Sequence, residues 1–240
     1  MKPPTSPSQG SITSEVEETP APPIQRLNVR PLSPAQERKL VDFLEEKFLE
    51  VTRNYKKRSD PSSTLTTLQA YLEATHHMLS LILQIPPVDP NAPLRTSLLL
   101  RLTGEVLQAI PGYTPDTETL PLLLAWLNDL DHAWLAVMRG QAWDTEECRG
   151  VDVELPQGAR CTPMSQTERT RLRSLLISGS DSLEEWLEGL NTAGEGSLEV
   201  TLQRLGLEQS FNELFAGTLA EMGSLRGSEI NDPSGMIGTC

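Results

Sequence analysis

The stretch TLPLLLAWLNDLDHAWLAVMR, Thr119 to Arg139, is the most apolar in the chain. Leu120, Leu122, Leu123, Leu124, Trp126, Leu127, Leu130, Trp134, Leu135, Val137 and Met138 fall on more than one face of a helix. A helix that is apolar over much of its circumference is buried among several neighbours. The sequence therefore predicts a central helix here, with Asn128, Asp129, Asp131 and His132 as its few polar residues. An all-α protein follows, because no segment alternates apolar and polar residues as a half-buried strand does.

Three helices are expected upstream. Ser33-Pro34-Ala35-Gln36 joins an N-cap serine, a proline at the first helical position and a glutamine placed for a capping box. Behind it Leu40, Val41, Leu44, Phe48, Val51 and Tyr55 recur every three or four residues, which puts them on one face. Arg53, Lys56, Lys57 and Arg58 complement the partial negative charge of this helix's C-terminus, and Asp60-Pro61 ends it. A second helix is predicted from about Ser63 to Gln84 on the stripe Leu65, Leu68, Leu72, Leu79 and Ile82, with His76 on or beside that face. Pro86-Pro87 stops it, since proline has no amide hydrogen to donate. A third runs from about Ala92 to Ile110 with Leu94, Leu98, Leu102 and Val106 in register, ended by Pro111-Gly112.

Downstream, periodicity is lost over 144–164, which reads as a long acidic loop. Ser165-Gln166-Thr167-Glu168 is a second capping box, opening a helix with Leu172, Leu175 and Leu176 that Gly179 is expected to break. Ser182-Leu183-Glu184-Glu185 then caps a short helix carrying Trp186, Leu187 and Leu190. Asn191 to Ser197 reads as a glycine-containing hinge. A last pattern over 198–222 holds Leu202, Leu205, Phe211, Leu214, Phe215 and Leu219. Gly206 and Gly217 weaken it by about 1 kcal/mol each relative to alanine, so a break is expected. The predicted organisation is a disordered Pro/Ser-rich tail (1–32), a four-helix bundle-like core (33–143), the acidic loop (144–164), C-terminal helices packing on or tethered to the core (165–222), and a disordered tail (223–240).

Composition fits this division. Of 240 residues 38% are hydrophobic, while Pro numbers 19 and Gly 16; that surplus lies largely in the tails, loop and connectors. The net charge of −13 is polarised: Arg26 to Arg58 holds 9 basic and 5 acidic residues, whereas Gly140 to Cys240 holds 7 basic and 17 acidic ones. No run reaches the ~20 apolar residues that cross a bilayer, so no membrane association is expected. Met1 to Gly10 carries prolines and serines where a signal peptide needs an apolar stretch. An intracellular protein, cytoplasmic or nuclear, is expected. Three cysteines make no disulfide framework.

Chemistry-bearing patterns are sparse. Glu73, His76 and His77 have the helical Glu-x-x-His spacing of di-iron bundles, but His132, the third histidine, has no glutamate three residues before it. Cys148 and Cys161 belong to no Cys-x-x-Cys pair, so a zinc site is not expected. Asp131 and His132 are adjacent on a helix and point about 100° apart, so the aspartate does not orient the imidazole as a triad acid would. There is no Gly-x-Ser-x-Gly, no Gly-Lys-Ser/Thr and no Gly-x-Gly-x-x-Gly. No catalytic residue, cofactor-binding residue, metal ligand, cofactor or small-molecule substrate is predicted, and the protein is not expected to be an enzyme. The candidate interaction patch is Arg53, Lys56, Lys57 and Arg58. Its charge suits phosphate contacts, but Tyr55 lies on the apolar face and the molecule is acidic, so direct nucleic-acid binding is disfavoured.

Leu32 to Leu40 (LSPAQERKL), Leu81 to Pro90 (LILQIPPVDP) and Arg171 to Leu176 (RLRSLL) resemble a family of uncharacterised filamentous-fungal helical proteins, over roughly Leu32 to Leu190. Members are sometimes labelled a meiotic recombination protein. That label implies a RecA-type ATPase, whereas this sequence has neither a Walker A lysine nor a parallel-sheet pattern. The resemblance carries over no catalytic residue. The leucine stripes, polarised charge and tails point to a non-catalytic adaptor or accessory subunit that binds protein partners. The alternative is an accessory factor in nucleic-acid metabolism acting through the patch at 53–58. The segment 198–222 is the natural element to engage a partner.

Overall fold

The structure is a computed structural model that describes residues 27–155, 157–190 and 198–229. Its helices are α1 (Pro34–Lys56), α2 (Leu68–Leu83), α3 (Ala92–Ala109), α4 (Leu120–Met138), α5 (Gln166–Glu188), α6 (Leu198–Leu205), α7 (Glu208–Asn212) and α8 (Ala216–Glu229). The first four form the bundle: α1 packs on α2, α2 on α3 and α4, and α3 on α4. α5 lies against α3, and α8 lies along α4. The protein is predominantly α-helical, as expected. Among the described residues no helix is long and apolar enough to cross a membrane.

Local chemistry starts the helices where the sequence says it should. The Ser33 amide donates to Gln36 Oε1 at 3.0 Å, and the Gln36 amide donates to Ser33 Oγ at 3.4 Å. Ser165 and Glu168 repeat the same reciprocal pair at 2.8 and 3.3 Å. α2 starts later than its apolar stripe suggests, at Leu68, behind the N-cap Thr67, whose hydroxyl accepts from the Ala70 amide. Ser63 instead ties the incoming loop to α1, its hydroxyl donating to the Asn54 carbonyl at 2.8 Å. His76 is exposed rather than on the buried stripe.

The core runs through all four bundle helices: Leu44, Phe48, Tyr71, Leu79, Leu99, Val106, Leu127 and Trp134 are almost wholly buried. Most of its polar groups among the described residues are paired. Trp134 Nε1 donates to Thr103 Oγ1 at 3.1 Å, and that hydroxyl donates to the Leu99 carbonyl at 2.8 Å. The Trp126 indole N–H is buried without an acceptor, and Arg95 is the larger exception. It is 1% exposed, and only Nη1 is bonded, to the Gln141 carbonyl at 2.6 Å. Its charge lies just beyond the C-terminus of α4, whose partial negative charge favours a cation there.

The segment read as an acidic loop is partly ordered into strands. β2 (Ala142–Asp144) and β3 (Arg149–Val151) form an antiparallel hairpin laid on the end of α4. β4 (Val153–Glu154) pairs in parallel with β1 (Leu27–Asn28), so the tail expected over 1–32 is ordered from Leu27 onward. Strands of two or three residues are too short to display alternation. Gly150 lets β3 lie close, since a Cβ there would fall 2.8 Å from the Ala136 Cβ.

Two further expectations are corrected. α5 is continuous through Gly179, and Ser182 lies inside it rather than capping a new helix. Gly179 is a contact point: a Cβ there would come within 2.6 Å of Leu107 Cδ1 on α3. The chain beyond Gly223, expected to be a tail, continues α8 to Glu229. The predicted break in the last segment occurs at Gly206, which has φ +67°. The Leu207 amide reaches the Leu202 carbonyl and the Gly206 amide the Gln203 carbonyl, a Schellman closure of α6. The tail up to residue 26, the hinge at 191–197 and the tail beyond residue 229 lie outside the described residues.

Candidate functional site

The central helix is less enclosed than its composition suggests. Pro121, Ala125, Asn128 and His132 form an exposed strip along one side of α4, flanked by Leu122 at 39% exposure. α7 and α8 border this strip and leave a cleft of about 480 Å³. Leu124 and Leu127 of α4 meet Leu207, Leu214 and Phe215 across it. Phe215 takes φ +56° and is 1% exposed, so the turn between α7 and α8 drives an aromatic ring into the protein.

Asp131 fixes the C-terminal arm to α4. Its Oδ1 accepts from the Thr218 amide at 2.9 Å, and its carbonyl accepts from Thr218 Oγ1 at 3.2 Å. The carboxylate therefore caps the N-terminus of α8 from another helix, where negative charge complements the dipole. Gly217 permits the approach, since a Cβ there would fall 2.7 Å from Asp131 Oδ2. Farther along, Arg139 Nη2 meets Glu221 Oε2 at 2.7 Å.

The basic patch is divided. Arg53, Lys56 and Lys57 are exposed at the end of α1. Arg58 turns inward: its guanidinium lies 4.4 Å from the Tyr55 ring centroid, and Nε donates to the Gly112 carbonyl at 2.8 Å. Tyr55, Tyr71 and Tyr113 pack with centroids 5.7–5.8 Å apart. Burial raises the Tyr71 phenol far above its ordinary value and pushes Tyr113 up to about 12.

Glu73, His76 and His77 do not converge. Glu73 accepts from Gln69 Nε2, while His76 Nε2 lies 3.1 Å from Asp129 Oδ2 on α4. His132 faces Asn128, and Asp131 is turned toward α8, so the adjacent pair points apart as helix geometry requires. Cys148 sits in the hairpin turn with φ +47°. Cys161 lies beside Gly140, where burial raises its thiol, Asp89 adds to the rise and Arg95 opposes it.

Comparison with family models, curated proteins and solved structures returns no match. The site is therefore read from its own geometry. Sequence reading missed the cleft because it counted the apolar residues of α4 without asking what lay between them. The available signal was the spacing of Pro121, Ala125, Asn128 and His132, a strip of small or polar residues on one side of the helix.

Proposed function

We propose that this protein is a non-catalytic helical adaptor or accessory subunit that binds a protein partner along the seam between α4 and α7–α8. The observation that supports it is the exposed strip beside the cleft, where Pro121, Leu122 and Ala125 stay open on a helix whose other large apolar residues are mostly covered. A groove between helices is a common seat for an amphipathic helix. The test is affinity capture of the full chain under native salt, in parallel with Ala125→Arg, which sets a long charged side chain in the seam. The expected result is one companion at constant stoichiometry that the variant loses. Repeated captures without a stoichiometric companion count against the reading.

A second reading rests on Arg53, Lys56 and Lys57, exposed together at the end of α1. They support an accessory role in nucleic-acid metabolism, the direction of the fungal family's recombination label. Binding to duplex DNA across a salt series tests it. Lys56→Glu with Lys57→Glu should weaken binding and flatten its salt slope; unchanged affinity removes direct binding.

A further inference from the structure

We infer that the segment received by the cleft is a cationic amphipathic helix of the partner, with aliphatic residues against the floor and lysine or arginine at its edge. The inference rests on the adaptor reading and adds the chemistry of the occupant.

Leu124, Leu127 and Phe215 lie almost wholly buried beneath the cleft, Leu207 and Leu214 are half-buried in its wall, and Pro121 and Ala125 bring exposed apolar surface to its edge among polar lining groups. Among the described residues, the ionisable ones lining the cleft are Asp131 and Glu213, and no lysine, arginine or histidine lines it. Asp131 holds α8 through Oδ1. Glu213 is exposed at the rim and takes one neutral hydrogen bond, from Gln209 Nε2 at 2.9 Å. α7 begins at Glu208, next to the lining residue Leu207.

These properties select among occupants. An acidic segment would place like charges together at the rim. A purely aliphatic one would cover carboxylates and leave them without water or a counter-ion, which is costly. Lysine and arginine satisfy both surfaces, because their methylene stems lie on apolar walls while their charged heads reach the rim. A helix presents both residue types on neighbouring faces, with aliphatic anchors at spacings of three and four.

The experiment is fluorescence anisotropy on the full chain with three labelled synthetic peptides. One is helical, with leucines on one face flanked by lysines; the second replaces every lysine by glutamate; the third scrambles the first so that its leucines no longer share a face. The first should bind at least about tenfold more tightly than either control, and more weakly as salt rises. Glu213→Lys should weaken it about tenfold. Ser210→Trp, which fills the cleft from α7, should weaken it as well. Both sites are exposed, and thermal melts establish that the variants fold. Equal binding of the glutamate or scrambled peptide, indifference to both substitutions, or no binding overturns the inference. A native companion that persists on Ser210→Trp while the lysine peptide fails leaves the adaptor standing and removes the cationic occupant. Absence of any companion removes the adaptor reading itself.

Discussion

Two glycines in neighbouring helices show how packing decides what a residue does. Gly104 on α3 and Gly179 on α5 both sit inside helices, where glycine costs about 1 kcal/mol relative to alanine. A Cβ at Gly104 would meet Leu175 Cδ2 at 3.6 Å, an ordinary contact. One at Gly179 would meet three side-chain atoms of Leu107 at 2.6–3.1 Å, and Leu107 is itself buried. Gly104→Ala should therefore raise stability by about 1 kcal/mol. Gly179→Ala should lower it by about 1–2 kcal/mol, because overpacking outweighs the same propensity gain. Urea unfolding of both variants checks the pair, and a shift of the same sign in both would refute the argument. Thr103 supplies a polar counterpart. Thr103→Val keeps the shape but leaves the Trp134 indole N–H buried without an acceptor, for an expected loss of about 1–3 kcal/mol in the same measurement.

Among elements, α8 shows what sequence can and cannot convey. The capping boxes at Ser33 and Ser165 are legible because donor and acceptor lie three residues apart. The cap on α8 is not, because Asp131 is 87 positions from Thr218 and looks like any polar residue on a helix. Gly179 misled for the same reason: its neighbour Leu107 belongs to another helix, so local reading sees a breaker where there is a close crossing. β2 and β3 escaped because three residues are too few to show a period. Asp131→Ala should cost about 1–2 kcal/mol, the value of a helix cap carrying charge at the N-terminus. The loss should be local. Amides of α8 should exchange faster with solvent deuterium while those of α2 and α3 keep their protection. Uniformly faster exchange would mean that α8 is part of the cooperative core rather than an arm latched onto it.

At the scale of the whole molecule, three tyrosines, all that the chain contains, tie α1, α2 and the turn after α3 together. The Tyr113 hydroxyl donates to the Leu65 carbonyl at 3.0 Å, and Tyr71 is 2% exposed. Burial holds both phenols protonated beyond the ordinary value near 10, Tyr113 to about 12 and Tyr71 further. In the unfolded chain they ionise at about pH 10. Their contribution is complete below that pH and falls as pH rises through the native values, because the unfolded state then binds fewer protons. Arg95 acts in the opposite sense. Burial lowers its guanidinium to about 10, so the penalty for burying that charge eases over the same alkaline range. Two phenols set against one guanidinium leave a net loss. A pH titration that follows tyrosinate absorbance together with helical circular dichroism checks this. The tyrosinates of Tyr71 and Tyr113 should develop only as helical signal is lost, and Tyr113→Phe should lessen the alkaline loss relative to neutral pH. Ionisation of Tyr71 and Tyr113 near pH 10 with the helices intact would show that the cluster is open to water, and that the end of α1 bearing Arg53, Lys56 and Lys57 is not anchored through it.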